Sequence, residues 1–420
     1  MSHRRGRHPK ALLLAGLASL MAGCRAPRIA NGADPAVLPT FLFLAVGISE
    51  DQQVTAELVE GMRQRLQELT QAFRKVHPSV SIQLQVYPDS ALRRQLARRN
   101  RTGLGPDLLL VGGQTALELE SEGMVRAVRF PASVTEQLLP GPRMRLSLED
   151  GQLAGLPMQL VPELACFDRA RLRQPPVHVD ELVALSAAGL RVGLPTETSN
   201  LFWTAGALGA SQALGRASRG EPLTPAERQP IQAWLAWLQK ASLHKEIGFY
   251  SAPEQQNELK AGRLDWITCR STSIPRLRQV LGDRLGVSTL PAGPGGEPTP
   301  VTRELVWAFG VSSSPRQRRA AEDLAVFTIQ PLIQRGFTVR SMEVLPVNRR
   351  VAVPVASSAI LAAMVDSLRQ SHATDVINHE IRPGDRRLPQ LERLFNRLVV
   401  GELEPSSAAA EMVQLLGRRR

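Results

Sequence analysis

The 420-residue sequence has little aromatic surface and almost no cysteine. Aromatic side chains make up 4% of it, with 2 Tyr and 5 Trp, so a binding surface of stacked rings has few to draw on. Three Cys are too sparse for a disulfide-stapled scaffold. The 31 Pro and 32 Gly follow no G-x-y period, which excludes a collagen-like chain. Catalytic signatures are also missing. There is no G-x-S-x-G elbow and no phosphate-loop or dinucleotide glycine pattern, and His379-Glu380 lacks the second His of a zinc H-E-x-x-H motif. What is present is 43% hydrophobic and 21% charged residues, enough for a packed core in two ordinary domains or one two-lobed body.

Arg4, Arg5, Arg7 and Lys10 precede an apolar run from Ala11 to Gly23. As a helix that run spans roughly 20 Å, short of a ~30 Å bilayer core, so it reads as an export signal. Leu20-Met21-Ala22-Gly23-Cys24 resembles a bacterial lipobox, with Met21 where Leu is usual. That resemblance implies a signal peptide over 1–23 and lipidation of Cys24. It also implies an exported protein held in the periplasm or at the outer face of the cytoplasmic membrane. An ordinary cleaved signal with an incidental Cys is the alternative. Net charge is +12, and +8 without the leader's four basic residues. The remaining arginines lie in short groups such as Arg93-Arg94 and Arg318-Arg319, with no interleaved aromatics. They suit a solvated face or anionic headgroups better than nucleic acid.

Residues 24–39 are Pro- and Ala-rich and read as a tether. Beyond them strand and helix patterns alternate. Phe41 to Ile48 is an apolar strand, and Leu58, Met62, Leu66, Leu69, Phe73 and Val76 form a helical stripe. Ser81 to Tyr87 alternates as a strand, Pro88-Asp89 opens a basic helix, and Asp107 to Val111 is a buried strand. This order predicts a parallel sheet covered by helices. In a second block, short strands are expected at Leu164–Phe167, Arg191–Leu194, Arg263–Cys269, Arg284–Leu290 and Glu304–Val311. A helix between Thr224 and Leu243 carries Ile231, Trp234, Leu235 and Leu238 on one face, another runs from about Pro315 to Gln330, and the tail from about Pro354 is largely helical. Trp234 and Trp237 read as packing or helix-surface residues. No internal repeat is visible.

Several ordered motifs carry a resemblance. They are Gly105-Pro106-Asp107-Leu108, Gly123-Met124-Val125, Gly155-Leu156-Pro157, Phe167-Asp168-Arg169, Ala261 to Trp266, Leu285 to Pro294, Trp307-Ala308, Leu345-Pro346-Val347 and Gly401 to Pro405. Together they resemble the family 1, maltose-type extracellular solute-binding proteins that feed ABC transporters. The departures are Phe167-Asp168 in place of Tyr-Asn, and Asp265-Trp266 in place of a small residue and Met. The resemblance implies an α/β, two-lobed periplasmic binding protein fold of type II, with mixed sheets flanked by helices and hinge crossovers. Lobe I is then 40–156 plus 301–350, and lobe II 157–300 plus 351–420. It further implies a monomer that captures a small solute, such as a sugar, glycoside or polyol, and delivers it to ABC permease subunits. No catalysis, metal or cofactor enters.

Ligand contacts are expected in loops after strands. In the first block these are Ser49 and Glu50, then Gly113, Gln114 and Thr115, where a plain helix-capping turn reads equally well. Beyond the Gly155-Leu156-Pro157 crossing come Gln159 and Glu163, the latter equally readable as a solvated carboxylate. In the second block, Asn200 suits a hydroxyl, and Trp203 either stacks on a sugar face or packs in the core. Arg270, Ser271 and Thr272 suit a hydroxylated or anionic ligand, and Trp307 is a further stacking candidate set against a core role. Cys166 and Cys269 read as free buried thiols in preference to a disulfide. Two other readings stay open: an exported lipid-anchored enzyme such as a glycoside hydrolase with two distant carboxylates, and a degenerate lobe pair that docks a partner.

Overall fold

The computed structural model describes residues 39–48, 55–381 and 385–418. The signal, Cys24, the tether up to residue 38, Ser49 and Glu50 lie outside them. The apolar run after the tether is strand β1 (Thr40–Ile48), and its neighbours are β2 (Val80–Pro88) and β3 (Leu108–Gly112). Both pair with β1 in parallel, as strands joined by crossover helices must. The first crossover helix, Ala56–Val76, is capped by Thr55, whose hydroxyl accepts the Leu58 N–H at 3.2 Å. It buries Leu66, Leu69 and Phe73 of the expected stripe. The second, Asp89–Arg101, sinks Leu92 and Leu96 and leaves most of its arginines toward water.

The remaining strands are β4 (Val125–Arg126), β5 (Leu156–Asp168), β6 (Val192–Pro195), β7 (Ile247–Tyr250), β8 (Trp266–Arg270), β9 (Leu285–Ser288), β10 (Thr302–Gly310) and β11 (Leu345–Pro346). They continue one mixed sheet in the order β2-β1-β3-β10-β5-β8-β6-β7, with β11 and β9 on β5 and β4 on β10. Strand β10 runs antiparallel to both β3 and β5, so the purely parallel sheet expected for the first block becomes a mixed one.

Strand β5 joins the two halves of the sheet. Residues up to Pro162 pair with β10, and Glu163 onward pairs with β8. The sequence predicts only a short strand at Leu164–Phe167, because Pro157 and Pro162 interrupt the apolar pattern. Proline in a central strand needs a place where its missing N–H costs nothing. Pro157 lies opposite a register shift between Leu305 and Val306, and Pro162 lies where pairing passes from β10 to β8. All of β5 is buried.

The antiparallel register of β5 and β8 sets Leu164 opposite Cys269 and Cys166 opposite Ile267. The two cysteines are therefore diagonal neighbours on one sheet face. They form a disulfide with Cα atoms 5.8 Å apart, which corrects the expectation of free thiols.

Two cores follow from this layout. One gathers β1, β3, β10 and the first half of β5 around Trp307 and Phe309. The other packs Trp203, Trp234 and Trp266 under the tail helices Leu388–Val399 and Pro405–Leu416. The expected central helix is Pro225–Ser242. Its Thr224 and Glu227 form a capping box, and Trp234 Nε1 donates to Thr204 Oγ1 at 2.7 Å. A third tail helix, Ala359–Gln370, lies along β5, and Ser367 Oγ donates to the Glu163 carbonyl at 2.7 Å. Two departures from the family pattern have local partners. Asp168 accepts from Arg284 Nε at 3.1 Å, and Asp265 accepts from Arg191 Nε at 2.9 Å and Nη2 at 2.6 Å. Among the described residues no helix is long and apolar enough to cross a membrane.

Candidate ligand cleft

A cleft of about 1180 Å³ opens where strands from both halves of the sheet end. Its floor is the seam of the sheet, with Met158, Gln159 and Val161 from β5 and Thr302, Arg303 and Glu304 from β10. One wall begins where β3 passes into the helix Gly113–Ser121. Glycine fits closely at 113, because a Cβ there would sit 2.7 Å from Glu304 Cγ and Cδ and force that side chain to shift. Gln114 is exposed at the cleft and touches Glu118 Oε1 at 3.3 Å, and Thr115 Oγ1 donates to Asp89 Oδ2 at 3.3 Å. The opposite wall comes from Glu197, Thr198 and Ser199, and from Arg270 and Thr272 after β8.

The seam is strongly charged. Arg145 is buried, donates from Nε to Glu304 Oε1 at 3.0 Å, and pairs with Asp375. Burial opposes its charge, but Glu304 and then Asp375 outweigh that and raise its pKa. Asp375 is pushed up to about 6, first by burial and then by Glu304, against the pull of Arg145. Glu163 is pushed up to about 8 by burial, although its Oε2 accepts the Val301 N–H at 3.0 Å and Arg303 lies near. Arg270 is held well below the usual guanidinium range by burial and then by Arg303. Burial lowers Arg303 too, while Glu163, Glu197 and Glu304 favour its charge.

The expected contacts divide clearly. Gly113, Gln114, Thr115, Gln159, Arg270 and Thr272 come together on the cleft. Glu163 and Asn200 do not line it. They bound a small cavity behind Arg270, and Asn200 Oδ1 accepts from Arg303 Nη2 at 2.9 Å. Asn200 thus steadies an arginine, and Glu163 is a buried carboxyl, not a solvated one.

Ser271 is withdrawn from the cleft, with its hydroxyl donated to the Glu343 carbonyl at 2.5 Å. The stacking role expected of two tryptophans is corrected. Trp203 is fully buried with its ring centroid 6.2 Å from that of Trp266, and Trp307 is fully buried with Nε1 on Thr328 Oγ1 at 2.9 Å. Packing partners on every side leave neither ring a face for a ligand. Among the described residues the only aromatic side chains at the cleft are Phe202 and Phe337. The sequence reading missed Arg145, Arg303, Glu304 and Glu197. One signal was available: Arg303-Glu304 is a pair of opposite charges entering an otherwise apolar strand.

The model of the bacterial extracellular solute-binding protein family matches residues 68–363. Binding proteins of Brucella abortus (strain 2308) and Brucella suis biovar 1 (strain 1330) are 22% identical over 253 residues, which is 55% of this chain and 60% of theirs. The chain therefore spans about 60% of the length of these curated relatives. The GacH receptor of Streptomyces glaucescens, solved unliganded and with acarbose, superposes with a TM-score of 0.68 at 15% identity, over 91% of this chain and 100% of that one. An ABC transporter solute-binding protein from Thermotoga lettingae, bound with alpha-D-tagatose, gives 0.63 at 15% identity over 90% and 100%. At such identities the likeness is one of fold, the two-lobed architecture. With its cleft at the junction of the sheet and the family match running through both halves, the chain belongs to the bacterial extracellular solute-binding proteins.

Proposed function

We propose that the protein captures a small hydroxylated solute, such as a sugar, glycoside or polyol, and hands it unaltered to the membrane permease of an ABC import system. Relatives of the same fold bind acarbose and tagatose. The observation that carries the reading is the convergence of Gln114, Thr115, Gln159, Arg270 and Thr272 on one cleft fed from both halves of the sheet. Lobes of 40–156 plus 301–350 and 157–300 plus 351–420 would close on the solute by bending at β5 and β10. A ligand that touches both lobes favours the closed form, which the permease reads. The chain works as a monomer, is exported by its leader and is held at the membrane through lipid on Cys24. It needs no cofactor and catalyses no reaction.

Thermal unfolding across sugars, polyols, polyamines and amino acids tests this. A true ligand at one hundred times its Kd adds about 2.7 kcal/mol of stability and raises the midpoint. An unmoved midpoint across the whole panel contradicts the proposal.

A further inference from the structure

The strands of the first block have two ends. At one, Gly112 and Gly113 follow β3 and open onto the cleft. The other gathers the starts of β1, β2 and β3 with the close of the helices Ala56–Val76 and Asp89–Arg101. The end of β10 and the start of the helix Pro315–Thr328 join them there. Contacts knit this end together. The Thr40 N–H donates to the Ser79 carbonyl at 2.9 Å, and Gln317 Nε2 donates to the Phe41 carbonyl at 3.0 Å. The Arg99 guanidinium lies 4.8 Å from the centre of the Phe43 ring. The described chain also enters here, at Pro39.

The surface of this end is both apolar and basic. Phe41, Val76 and Leu104 are 66%, 62% and 68% exposed, large apolar groups left in water. The segments 39–43, 74–80, 98–107 and 311–319 hold eight Lys or Arg residues and one acid, Asp107. That acid is buried and accepts the Phe43 N–H at 2.8 Å. Arg98, Arg101 and Arg318 donate to neutral acceptors: Gln95 Oε1 at 2.5 Å, the Ala97 carbonyl at 3.3 Å and the Ser313 carbonyl at 3.0 Å. A helix's last turn favours cations, which accounts for Arg74, Lys75, Arg98 and Arg101. It does not account for Arg318 and Arg319. They stand exposed where the helix Pro315–Thr328 opens, and a cation there opposes the helix dipole.

We propose that this end of the molecule docks on an anionic lipid bilayer, with its basic side chains on headgroup phosphates and Phe41, Val76 and Leu104 in the interface. Apolar groups set in a basic surface supply what interfacial binding needs, charge for approach and apolar area for insertion. The entry point of the chain selects the bilayer as partner. With the lipid anchor proposed above, Cys24 lies sixteen residues before Thr40, at most about 55 Å of extended chain, so the lipid keeps this end near the membrane. Docking here turns the cleft, at the opposite end of the same strands, away from the bilayer and toward arriving solute. The surface is a second contact besides that anchor, and the test separates the two.

Flotation of the full chain with two kinds of vesicle measures this: phosphatidylcholine alone, and equal parts of phosphatidylcholine and phosphatidylglycerol. A lipid on Cys24 acts on both compositions, so the docking surface reads out as a preference for the mixed vesicles that added salt weakens. Each basic residue at an anionic surface multiplies partition roughly fivefold. Arg318→Gln combined with Arg319→Gln therefore cuts the preference at least about tenfold. Arg169→Gln combined with Arg173→Gln removes the same charge from the exposed turn after β5 and leaves the preference within about twofold, because charges beyond a Debye length are screened. A polarity-sensitive dye on Leu104→Cys shifts to the blue on mixed vesicles, and a thermal melt shows that each variant is folded. Equal losses from the two arginine pairs, or a dye that stays in water, overturn the proposal. Equal partition onto both vesicles overturns it too, while Cys24→Ala decides the lipid anchor separately.

Discussion

Glu163 offers a quantitative test of the charged seam. Its carboxyl is pushed from an ordinary 4.5 to about 8, chiefly by burial. In the unfolded chain it loses its proton near 4.5, but in the folded protein it keeps it to about 8. Across that window the unfolded state therefore binds fewer protons, and stability must fall as pH rises, by about 1.4 kcal/mol per pH unit. Below 4.5 both states are protonated and there is no effect. The whole window amounts to about 5 kcal/mol. Asp375, raised to about 6, has the same sign but acts between about 4 and 6, so pH 6.5 to 8 isolates Glu163. Over that interval we expect a loss of about 2 kcal/mol. Urea unfolding at fixed salt, followed by circular dichroism, measures it. Glu163→Gln preserves the shape and the acceptor for the Val301 N–H but cannot ionise, so its stability should be nearly flat from pH 6.5 to 8. A variant that loses as much stability over this interval as the parent protein would refute the reasoning.

Three further outcomes follow from the packing. Replacing Cys166 and Cys269 together by Ala opens a loop with a sequence separation of 103 and should cost about 4–5 kcal/mol in urea unfolding under oxidising conditions; under strong reductant the parent protein should approach the variant. Gly113→Ala drives a Cβ against Glu304, at an expected cost of about 1–3 kcal/mol and with weaker solute binding, measured by melting and calorimetry on the same sample. Trp307→Phe removes the bond to Thr328 and part of a filled core, so stability should drop by about 1–3 kcal/mol while solute affinity stays unchanged; a selective loss of affinity would return Trp307 to the binding surface.

The elements with clean periodicity are legible in the sequence. The stripe from Leu58 to Val76 gave the helix Ala56–Val76, and alternation from Ser81 to Tyr87 gave β2. The Thr224 to Leu243 helix also stands, with Ile231, Trp234, Leu235 and Leu238 inward. Strand β5 was mostly hidden, because a proline tolerated only at a register shift or a partner change looks like a break when the partner is unknown. Register also hid the disulfide: Cys166 and Cys269 meet only because β5 and β8 run antiparallel with Leu164 opposite Cys269. For Trp203 and Trp307 the residue type fits both a stacking platform and a core, and only burial separates the two. At the cleft, the positions of Gln114, Thr115 and Gln159 on the lining follow from their places just after a predicted strand and a predicted crossing. Arg145, Arg303 and Glu304 were missed because their relation depends on contacts between residues far apart in sequence, such as the Arg145–Asp375 pair.

The central claim is that the cleft holds a guest and releases it unchanged. Calorimetry on the full chain with the solute that most raises its melting point, followed by mass analysis of the recovered solute, tests that claim most directly. Saturation at one molecule per chain and a recovered mass identical to the starting one are expected. A heat that never saturates, or a recovered compound of different mass, contradicts it.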